Sequence, residues 1–258
     1  MESPSVAIHW FRKGLRLHDN PALLEACRAS TKIYPVFCID PYFAKPDIVG
    51  VNRYSFLLES LVDLDRSLKL LGSRLFVVKG KPEEVLPLYA HKWKANLITF
   101  EKDSEPYAIA RDQRISQILR HSSINTLTCS SHTIHDLQRY VDASNGPSNC
   151  PLTYGAFCKL FSSFGKPRSA MQPPTEDQLH GSNFGKADLI DPEFDVPTLA
   201  QMGYTESPTT SFHGGESEAL QRLRGTVTER AAWVRSFEKP NTSPNSLEPS
   251  TTVSNNET

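Results

Sequence analysis

Three short segments of the chain place aromatic side chains beside opposite charges, and each follows directly on a run of apolar residues. The segments are residues 11–20, 40–43 and 101–106. If the apolar runs are parallel strands, the segments meet beyond the carboxyl edge of one sheet, where open α/β sheets bind ligands. Aromatic rings next to charges suit a flat, polar ring system. The residues that we expect to bind it are Phe11, Arg12, Asp40, Tyr42, Phe43, Glu101, Asp103 and Glu105.

The same charges also have a purely structural interpretation. Arg12 and Arg16 can pair with Asp19 in their own segment. They can also pair with Asp103 or Glu105 across the sheet edge, and such pairs would only hold the loops in place. Spacing does not separate ligand binding from loop fixing, so the sequence leaves both interpretations open.

The elements that would position these segments alternate along the first 140 residues. Short continuous apolar runs predict strands buried on both faces, at residues 6–10, 33–39, 75–78, 97–100 and 125–128. Amphipathic stretches between the runs predict four helices. They begin at Pro21 with Asn20 as the cap, at Asn52, at Pro82 and at Pro106. We therefore predict an α/β fold with a doubly wound, five-stranded parallel sheet, Rossmann-like in its layout.

Two of these helices carry more specific expectations. The second has an apolar stripe and stops at Gly72. The stripe consists of Phe56, Leu57, Leu61, Leu64, Leu68 and Leu71. In the third helix, Pro87 lacks a backbone donor and should kink or shorten the helix.

The composition changes in the second half of the chain. We assign residues 1–140 to the α/β domain, 141–214 to a connector rich in Pro, Gly, Ser and charge, and 215–240 to the start of a helical domain. A short helix over residues 154–164 interrupts the connector. The helical stretch that opens the later domain presents an apolar face that needs a partner. Residues 241–258 contain too few apolar residues to order themselves, which predicts a disordered tail.

Charge and motifs exclude several classes of function. The formal net charge is −1, from 28 Lys and Arg against 29 Asp and Glu, so a nucleic acid contact would require a local patch. No apolar run reaches the length of a membrane span and no secretory signal is present, so we expect a nuclear or cytoplasmic protein with no membrane partner. Neither GxGxxG nor GxxxxGK[ST] occurs, which argues against a dinucleotide dehydrogenase or a P-loop NTPase.

Cysteines and histidines give no sign of a metal site. Five widely spaced cysteines without a CxxC predict reduced thiols, with Cys27 and Cys38 in the core. The eight histidines are scattered. His132 and His135 lie three residues apart, and we interpret both as surface residues. We therefore expect no metal.

Four blocks of the sequence closely resemble the cryptochrome and DNA photolyase family. The longest is HWFRKGLRLHDNPAL at residues 9–23, and it is joined by FEKDSEPY at 100–107, PLTY at 151–154 and GGESEALQRL at 214–223. The block at residues 233–253, with Lys-Pro followed by Thr-Ser-Pro, is most similar to the animal (6-4) photolyase branch. The resemblance extends over nearly the whole chain.

This resemblance implies a protein of two parts. The α/β domain would hold an antenna chromophore, which is a deazaflavin, a flavin or a folate, and an all-helical domain would bind FAD. In photolyases of the family, blue light excites the reduced flavin, which reverses a (6-4) photoproduct flipped out of damaged DNA. Cryptochromes use the same cofactor for light sensing or clock regulation. The implied partners are damaged DNA and clock or cryptochrome-interacting proteins, in the nucleus or the cytoplasm.

The resemblance also assigns flavin-contacting positions near the end of the chain. They are Lys239, Thr251, Thr252 and Val253. The family pattern continues into further helices after this point, whereas this chain reads Ser-Asn-Asn-Glu-Thr. We therefore expect a truncated family member with an incomplete FAD site, which retains no FAD and performs no repair alone. The alternative is a protein-interaction product, or a non-functional splice or gene-model product, of a cryptochrome.

No catalytic residue is expected within this sequence. The histidines that assist repair and the tryptophans that carry electrons in the family belong to the helical part that follows. Trp10, Trp93 and Trp233 should therefore be packing residues.

Overall fold

Strands and helices alternate through the first half of the molecule. The computed structural model describes residues 5–179, 184 and 186–229. The strands are β1 (Val6–Phe11), β2 (Lys32–Ile39), β3 (Phe76–Lys79), β4 (Leu97–Glu101) and β5 (Asn125–Cys129). The helices are α1 (Pro21–Ala29), α2 (Val51–Leu70), α3 (Pro82–Trp93), α4 (Pro106–His121), α5 (Leu137–Ala143), α6 (Tyr154–Ser163), α7 (Glu176–Leu179), α8 (Lys186–Ile190) and α9 (Glu216–Leu223).

The five strands form one parallel sheet in the order β3-β2-β1-β4-β5. β1 lies at the centre, where Ala7 pairs with Ile33 of β2 and with Leu97 of β4. The chain runs outward from β1 to β3 and then returns to continue through β4 and β5, so the strand order reverses between β1 and β4. The predicted five-stranded parallel α/β fold is confirmed.

Helices cover both faces of the sheet, because successive strand residues point to opposite sides. On one face, α1 and α2 bury Leu23, Leu61 and Leu68. On the other, α3 and α4 bury Leu86 and Leu119. Each leucine that is removed from water in this way contributes about 1.5–3 kcal/mol, so the two cores fix the strand ends from which the loops emerge.

The first helix begins where the sequence predicts. Asn20 caps α1, since its side-chain oxygen accepts a hydrogen bond from the amide of Leu23 at 3.0 Å, and Pro21 is the first helical residue. Ser30 ends α1, and its hydroxyl donates to the carbonyl of Ala26 at 2.6 Å. The loop after β1 therefore has a fixed end at Asn20.

The prediction for the apolar stripe of α2 is wrong at one position. Phe56 is 47% exposed. It lies five residues before the buried Leu61, which is about 140° around the helix and away from the sheet. α2 ends near the predicted Gly72, whose φ of 71° is the left-handed conformation that glycine favours.

Pro87 does not shorten α3, and the alternative that it kinks the helix stays a prediction. The helix continues past Pro87 to Trp93. Pro87 removes one backbone hydrogen bond, and the burial of Leu86 and Ala90 against the sheet outweighs that loss.

Arg74 fastens the segment that follows α8 to the sheet. Its guanidinium is 1% exposed and donates to the carbonyl oxygens of Leu189 at 3.3 Å and Asp191 at 2.7 Å. It also donates to Oδ1 of Asp195 at 2.7 Å. Phe194 of the same segment lies in the core beside the sheet. This part of the predicted connector runs over the surface and is anchored to it.

Tryptophans and cysteines pack as predicted where the structure describes them. Trp10 is buried, and Trp93 stacks on Tyr34 with 4.1 Å between ring centroids. Cys27 and Cys38 lie in the core. Trp233, the last part of the helical stretch from residue 215 and the predicted disordered tail lie outside the described residues.

His135 corrects one of the two histidine predictions. It is buried among aromatic rings, with centroid distances of 5.5 Å to Phe161 and 5.4 Å to Phe164. This burial arises because α6 folds back beside α5, a contact that the three-residue spacing from His132 does not reveal. His132 is exposed, as predicted.

Candidate functional site

Arg12 lies where the strand order reverses, and its side chain is only 8% exposed. One guanidinium nitrogen, Nη1, donates to both carboxylate oxygens of Asp112 at 2.7 and 2.6 Å. The other, Nη2, donates to the backbone carbonyl of Glu101. The rings of Trp10 and Phe100 lie 4.9 and 5.0 Å from the guanidinium carbon. Burial lowers the pKa of Arg12, and the charge of Asp112 opposes that shift. The contacts of both guanidinium nitrogens show that Arg12 is engaged within the protein.

Glu101 closes the space between the loops that follow β1 and β4. Its Oε1 accepts from Nη2 of Arg16 at 3.3 Å and from the hydroxyl of Ser131. A Cβ atom at position 14 would lie 2.1 Å from Oε2 of Glu101. A side chain at position 14 would therefore have to displace the buried Glu101 carboxylate.

Lys13 holds the two acids that precede α4. Its Nζ lies 3.1 Å from Oδ1 of Asp103 and 2.7 Å from Oε1 of Glu105. Burial alone would lower the pKa of Lys13, but hydrogen bonds to these two acids raise it. Burial alone would raise the pKa of Asp103, but the Glu105 amide and Lys13 lower it. The loops are thus held by ion pairs, although Asp103 and Glu105 bind Lys13 rather than the arginines considered from the sequence.

Beside these ion pairs, three exposed rings form a cluster that we call the aromatic platform: Tyr42, Phe43 and Tyr107. Tyr42 and Tyr107 lie 5.8 Å apart with 17° between their planes, and Phe43 meets them edge-on at 4.8 and 5.6 Å. The exposed fractions are 62%, 47% and 43%. Adjacent exposed rings of this kind offer apolar area that a flat ligand can cover.

Asp40 lies next to the aromatic platform. Its Oδ1 accepts from the backbone amide of Tyr42 at 2.9 Å, which fixes the turn after β2. Burial, and then the charge of Asp40, raise the pKa of Tyr107, so the Tyr107 hydroxyl is protonated at neutral pH. The platform therefore combines ring faces with a hydroxyl donor and a carboxylate acceptor.

A groove of about 370 Å³ runs along α4 towards β5. Most of its charged groups are already paired. Lys102 binds Asp136 at 2.9 Å, Asp103 binds Lys13, and Asp112 binds Arg12. The groove is also lined by further polar side chains, at Gln113, Ser116, Gln117, Arg120 and Thr128.

His9 provides an uncharged polar link beneath the loop after β1. Its Nδ1 lies 2.8 Å from the hydroxyl of Thr99, and its Nε2 accepts from the side-chain amide of Asn20 at 3.3 Å. Burial, followed by the charge of Arg12, lowers the pKa of His9 to about 3. The ring is neutral at physiological pH and ties β1 to β4 and to the start of α1.

The structure divides the residues predicted to bind a ligand into two groups. The first is engaged within the protein and comprises Phe11, Arg12, Glu101, Asp103 and Glu105, of which Phe11 is 1% exposed in the core. The second lies together at the aromatic platform and comprises Asp40, Tyr42 and Phe43. The three predicted segments do meet at one sheet edge, and only part of that edge is open.

Sequence reasoning misses three residues of this region. Tyr107 follows Pro106 at the start of α4, so a helix that begins directly after the third segment was the available signal. Lys13 lies in the first segment, but its acid partners are on another loop. Asp112 lies 100 positions from Arg12 along the chain, and no periodicity indicates that pairing.

The predicted FAD contacts receive no geometry from the structure. Lys239, Thr251, Thr252 and Val253 lie outside the described residues. Within residues 5–179, 184 and 186–229, no group of three or more His, Cys, Asp or Glu is placed to hold a metal ion. None of the helices described there has the length and hydropathy needed to cross a membrane.

Comparison with known proteins identifies the family. The family model for DNA photolyase matches residues 7–174. The chain belongs to the DNA photolyase family. Among its curated relatives is cryptochrome-1 of Gallus gallus, which is 39% identical over 243 residues. That match covers 93% of this chain and 39% of the relative, so the chain spans about two fifths of that protein's length.

Solved structures share the fold. A Synechocystis sp. PCC6803 cryptochrome gives a TM-score of 0.74 at 22% identity, over 93% of this chain and 50% of that one. The archaeal photolyase of Sulfolobus tokodaii, solved with two FAD molecules, gives a TM-score of 0.59 at 23% identity, over 84% of this chain and 46% of that one. The α/β architecture described above is thus that of the matched half of these proteins.

Proposed function

We propose that this chain is the antenna-type α/β part of a cryptochrome or (6-4) photolyase-like protein, and that its aromatic platform binds the light-harvesting chromophore. One observation carries the proposal. The charges at the sheet edge are satisfied within the protein, whereas Tyr42, Phe43 and Tyr107 remain exposed as adjacent rings. A flat ligand that stacks there removes apolar area from water without breaking an ion pair.

A deazaflavin, a flavin or a folate has the chemistry that this platform suits. Each offers a planar heterocycle for stacking and polar edge groups for Asp40 and the Tyr107 hydroxyl. The solved Sulfolobus tokodaii photolyase carries two FAD molecules, with the implication of a novel light-harvesting cofactor. A flavin is therefore the first probe to use.

For the whole protein we propose FAD chemistry driven by blue light, either repair of (6-4) photoproducts in DNA or light and clock signalling. The similarity of residues 233–253 to the animal (6-4) photolyase branch supports DNA repair, and the 39% sequence identity to cryptochrome-1 supports light and clock signalling. The corresponding partners are damaged DNA and clock or cryptochrome-interacting proteins, in the nucleus or cytoplasm. We propose that Lys239, Thr251, Thr252 and Val253 contact the flavin and that this chain alone performs no repair.

The test of the antenna proposal is a titration of the purified chain with FMN, in which flavin fluorescence measures binding. Replacement of one stacking ring should weaken binding about tenfold, since a ring stack contributes about 1–1.5 kcal/mol. The informative variants are Tyr42→Ala and Tyr107→Ala. Tyr154→Ala is the matched control, because Tyr154 is an 83% exposed aromatic outside the platform. Equal affinities in all four proteins would place the flavin elsewhere.

Repair is tested separately, by exposing the chain to DNA that contains a (6-4) photoproduct under blue light with FAD supplied. We expect no reversal of the lesion. Restored pyrimidines would show that the chain builds a working flavin site by itself.

A second candidate function, a protein-interaction module, is favoured by one specific observation. Neither α5 nor α6 contains a buried residue, and Leu152 just before α6 is 98% exposed. On α9, Leu220 is 43% and Leu223 is 51% exposed on one side of the helix. Apolar area of this kind is typical of an interface. Sedimentation velocity over a range of concentrations tests it, since a chain that stays monomeric throughout would argue against self-association through this surface.

A further inference from the structure

A later segment of the chain holds the loop that joins β1 to α1. The carboxylate of Glu216, the first residue of α9, accepts from the amide of Leu17 at 2.8 Å and from the amide of His18 at 2.9 Å. Two successive backbone N–H groups thus bind one charged group, and such charge-assisted hydrogen bonds are among the stronger ones in proteins. The loop is tied to a residue 199 positions away.

The start of α9 is itself held on α2. Oε2 of Glu59 accepts from the amide of Gly214 at 2.8 Å, and Oδ2 of Asp63 accepts from the amide of Ser217 at 2.9 Å. A Cβ atom at Gly214 would lie 2.1 Å from the carbonyl oxygen of Phe56, so only glycine permits this approach. The carboxylate that reaches the loop is therefore placed by docking against α2.

A second tie acts at the end of the same loop. Oδ1 of Asp19 accepts from Nη1 of Arg168 at 2.8 Å and from the amide of Met171 at 3.1 Å. The amide of Asp19 donates to the carbonyl of Met171 at 2.9 Å. Asp19 has a φ of 49°, which a residue with a side chain adopts at a cost, so these contacts stabilise an unfavourable backbone.

The other end of the loop reaches the aromatic platform. Lys13 binds Asp103 and Glu105, and the carbonyl of Glu105 accepts from the amide of Ile109 at 2.9 Å. Glu105 caps α4 and Tyr107 lies in its first turn. Lys13 therefore links the loop to the residue that precedes α4, whose first turn carries the ring that completes the platform.

We infer that Glu216 is a positioning residue for the candidate chromophore site. Glu216 holds the amides of Leu17 and His18, so the order of the β1–α1 loop depends on the docking of α9 against α2. Through Lys13, the order of the first turn of α4 depends on the same docking. The consequence for ligand affinity rests on the proposed function, whereas the order of the loop and of α4 can be measured without a ligand.

Hydrogen exchange of the full chain, resolved by residue, tests the inference directly. In Glu216→Gln, the amides of Leu17 and His18 should exchange at least about tenfold faster. The amide of Ile109 should also exchange faster. Glu218→Gln removes the same charge from the same helix and should leave all three rates unchanged. Unchanged exchange at Leu17 and His18, or faster exchange there without any effect at Ile109, would each overturn the inference.

FMN affinity gives the functional readout. In Glu216→Gln, the dissociation constant should rise about tenfold while Glu218→Gln matches the unmodified chain. If the unmodified chain binds no FMN, the proposed function fails and the exchange rates still decide the positioning role. If circular dichroism shows that Glu216→Gln does not fold, Glu216→Asp replaces it, because aspartate retains the charge on a shorter side chain. Amide exchange in Glu216→Asp should then be intermediate. Exchange rates equal to those of the unmodified chain would count against the inference.

Discussion

The two parts of the sheet edge differ in how their side chains are satisfied. After β1 and β4, charged side chains bind one another, as the largely buried Arg12 does with Asp112 and the exposed Lys13 with Asp103 and Glu105. At the aromatic platform, by contrast, Tyr42 is 62% exposed and packs against the other two rings of the platform. A charged group that is buried without a partner lowers the stability of the fold by several kcal/mol, whereas an exposed ring incurs no such penalty. The first part therefore contributes more to stability, and the second is the part that we propose to bind a ligand.

The largest loss of stability is expected for Arg12→Ala. Removal of the guanidinium leaves Asp112, among the residues that the structure describes, with Arg111 at 2.9 Å as its remaining ion-pair partner. We expect the free energy of unfolding to fall by about 3 kcal/mol, measured by urea denaturation. The control is Arg28→Ala, because Arg28 is 63% exposed in its pair with Glu25 and should contribute less than about 1 kcal/mol. Equal losses in both variants would remove the distinction between the two parts.

The next largest effect is a dependence of stability on pH through His9. The unfolded chain takes up a proton near the ordinary pKa of 6.5, whereas the folded ring, with its pKa lowered to about 3, does not. The free energy of unfolding should therefore fall by about 1.4 kcal/mol per pH unit as the pH decreases below 6.5, or about 2 kcal/mol by pH 5. His9→Gln should lose this slope between these two pH values, where most carboxylates stay ionised. Parallel slopes in both proteins would show that His9 does not cause it.

A smaller loss is expected for Gly14→Ala. The new Cβ would displace the Glu101 carboxylate from Arg16 and Ser131, which should lower the free energy of unfolding by about 1–2 kcal/mol. Thermal denaturation checks this value. Gly50→Ala is the matched control, because nothing lies within 4 Å of a Cβ built there.

The smallest change in stability is expected at the platform itself. Tyr42→Ala should alter the free energy of unfolding by less than about 0.5 kcal/mol, since the ring is largely exposed. Urea denaturation in parallel with the FMN titration measures both properties on one sample. A loss as large as that of Arg12→Ala would mean that the platform belongs to the structural part of the edge.

The sequence predicts the sheet well, because β1 to β4 appear as continuous apolar runs and because α1, α3 and α4 begin at prolines. The prediction that the fifth strand is buried on both faces is wrong, since β5 at the edge of the sheet contains no buried residue. The sequence also predicts that residues 11–20, 40–43 and 101–106 meet at one edge, because the carboxyl ends of parallel strands lie on the same side of a sheet. It does not predict which acid binds Arg12, since Asp112 lies two turns into α4 and becomes a neighbour only when that helix packs. His135 shows the same limit, because its burial depends on the return of α6 beside α5. The assignment of binding residues and of domain boundaries stays a prediction.

Arg74 has a consequence for how the molecule unfolds. Its guanidinium, 1% exposed, has hydrogen-bond partners at Leu189, Asp191 and Asp195. Peeling that surface segment away would break three hydrogen bonds to the Arg74 guanidinium and would expose Phe194 of the core to water, which together cost a large part of the stability of a small domain. The segment should therefore detach only when the sheet itself melts, so a protease that cleaves between Leu189 and Asp195 would report global unfolding rather than local fraying.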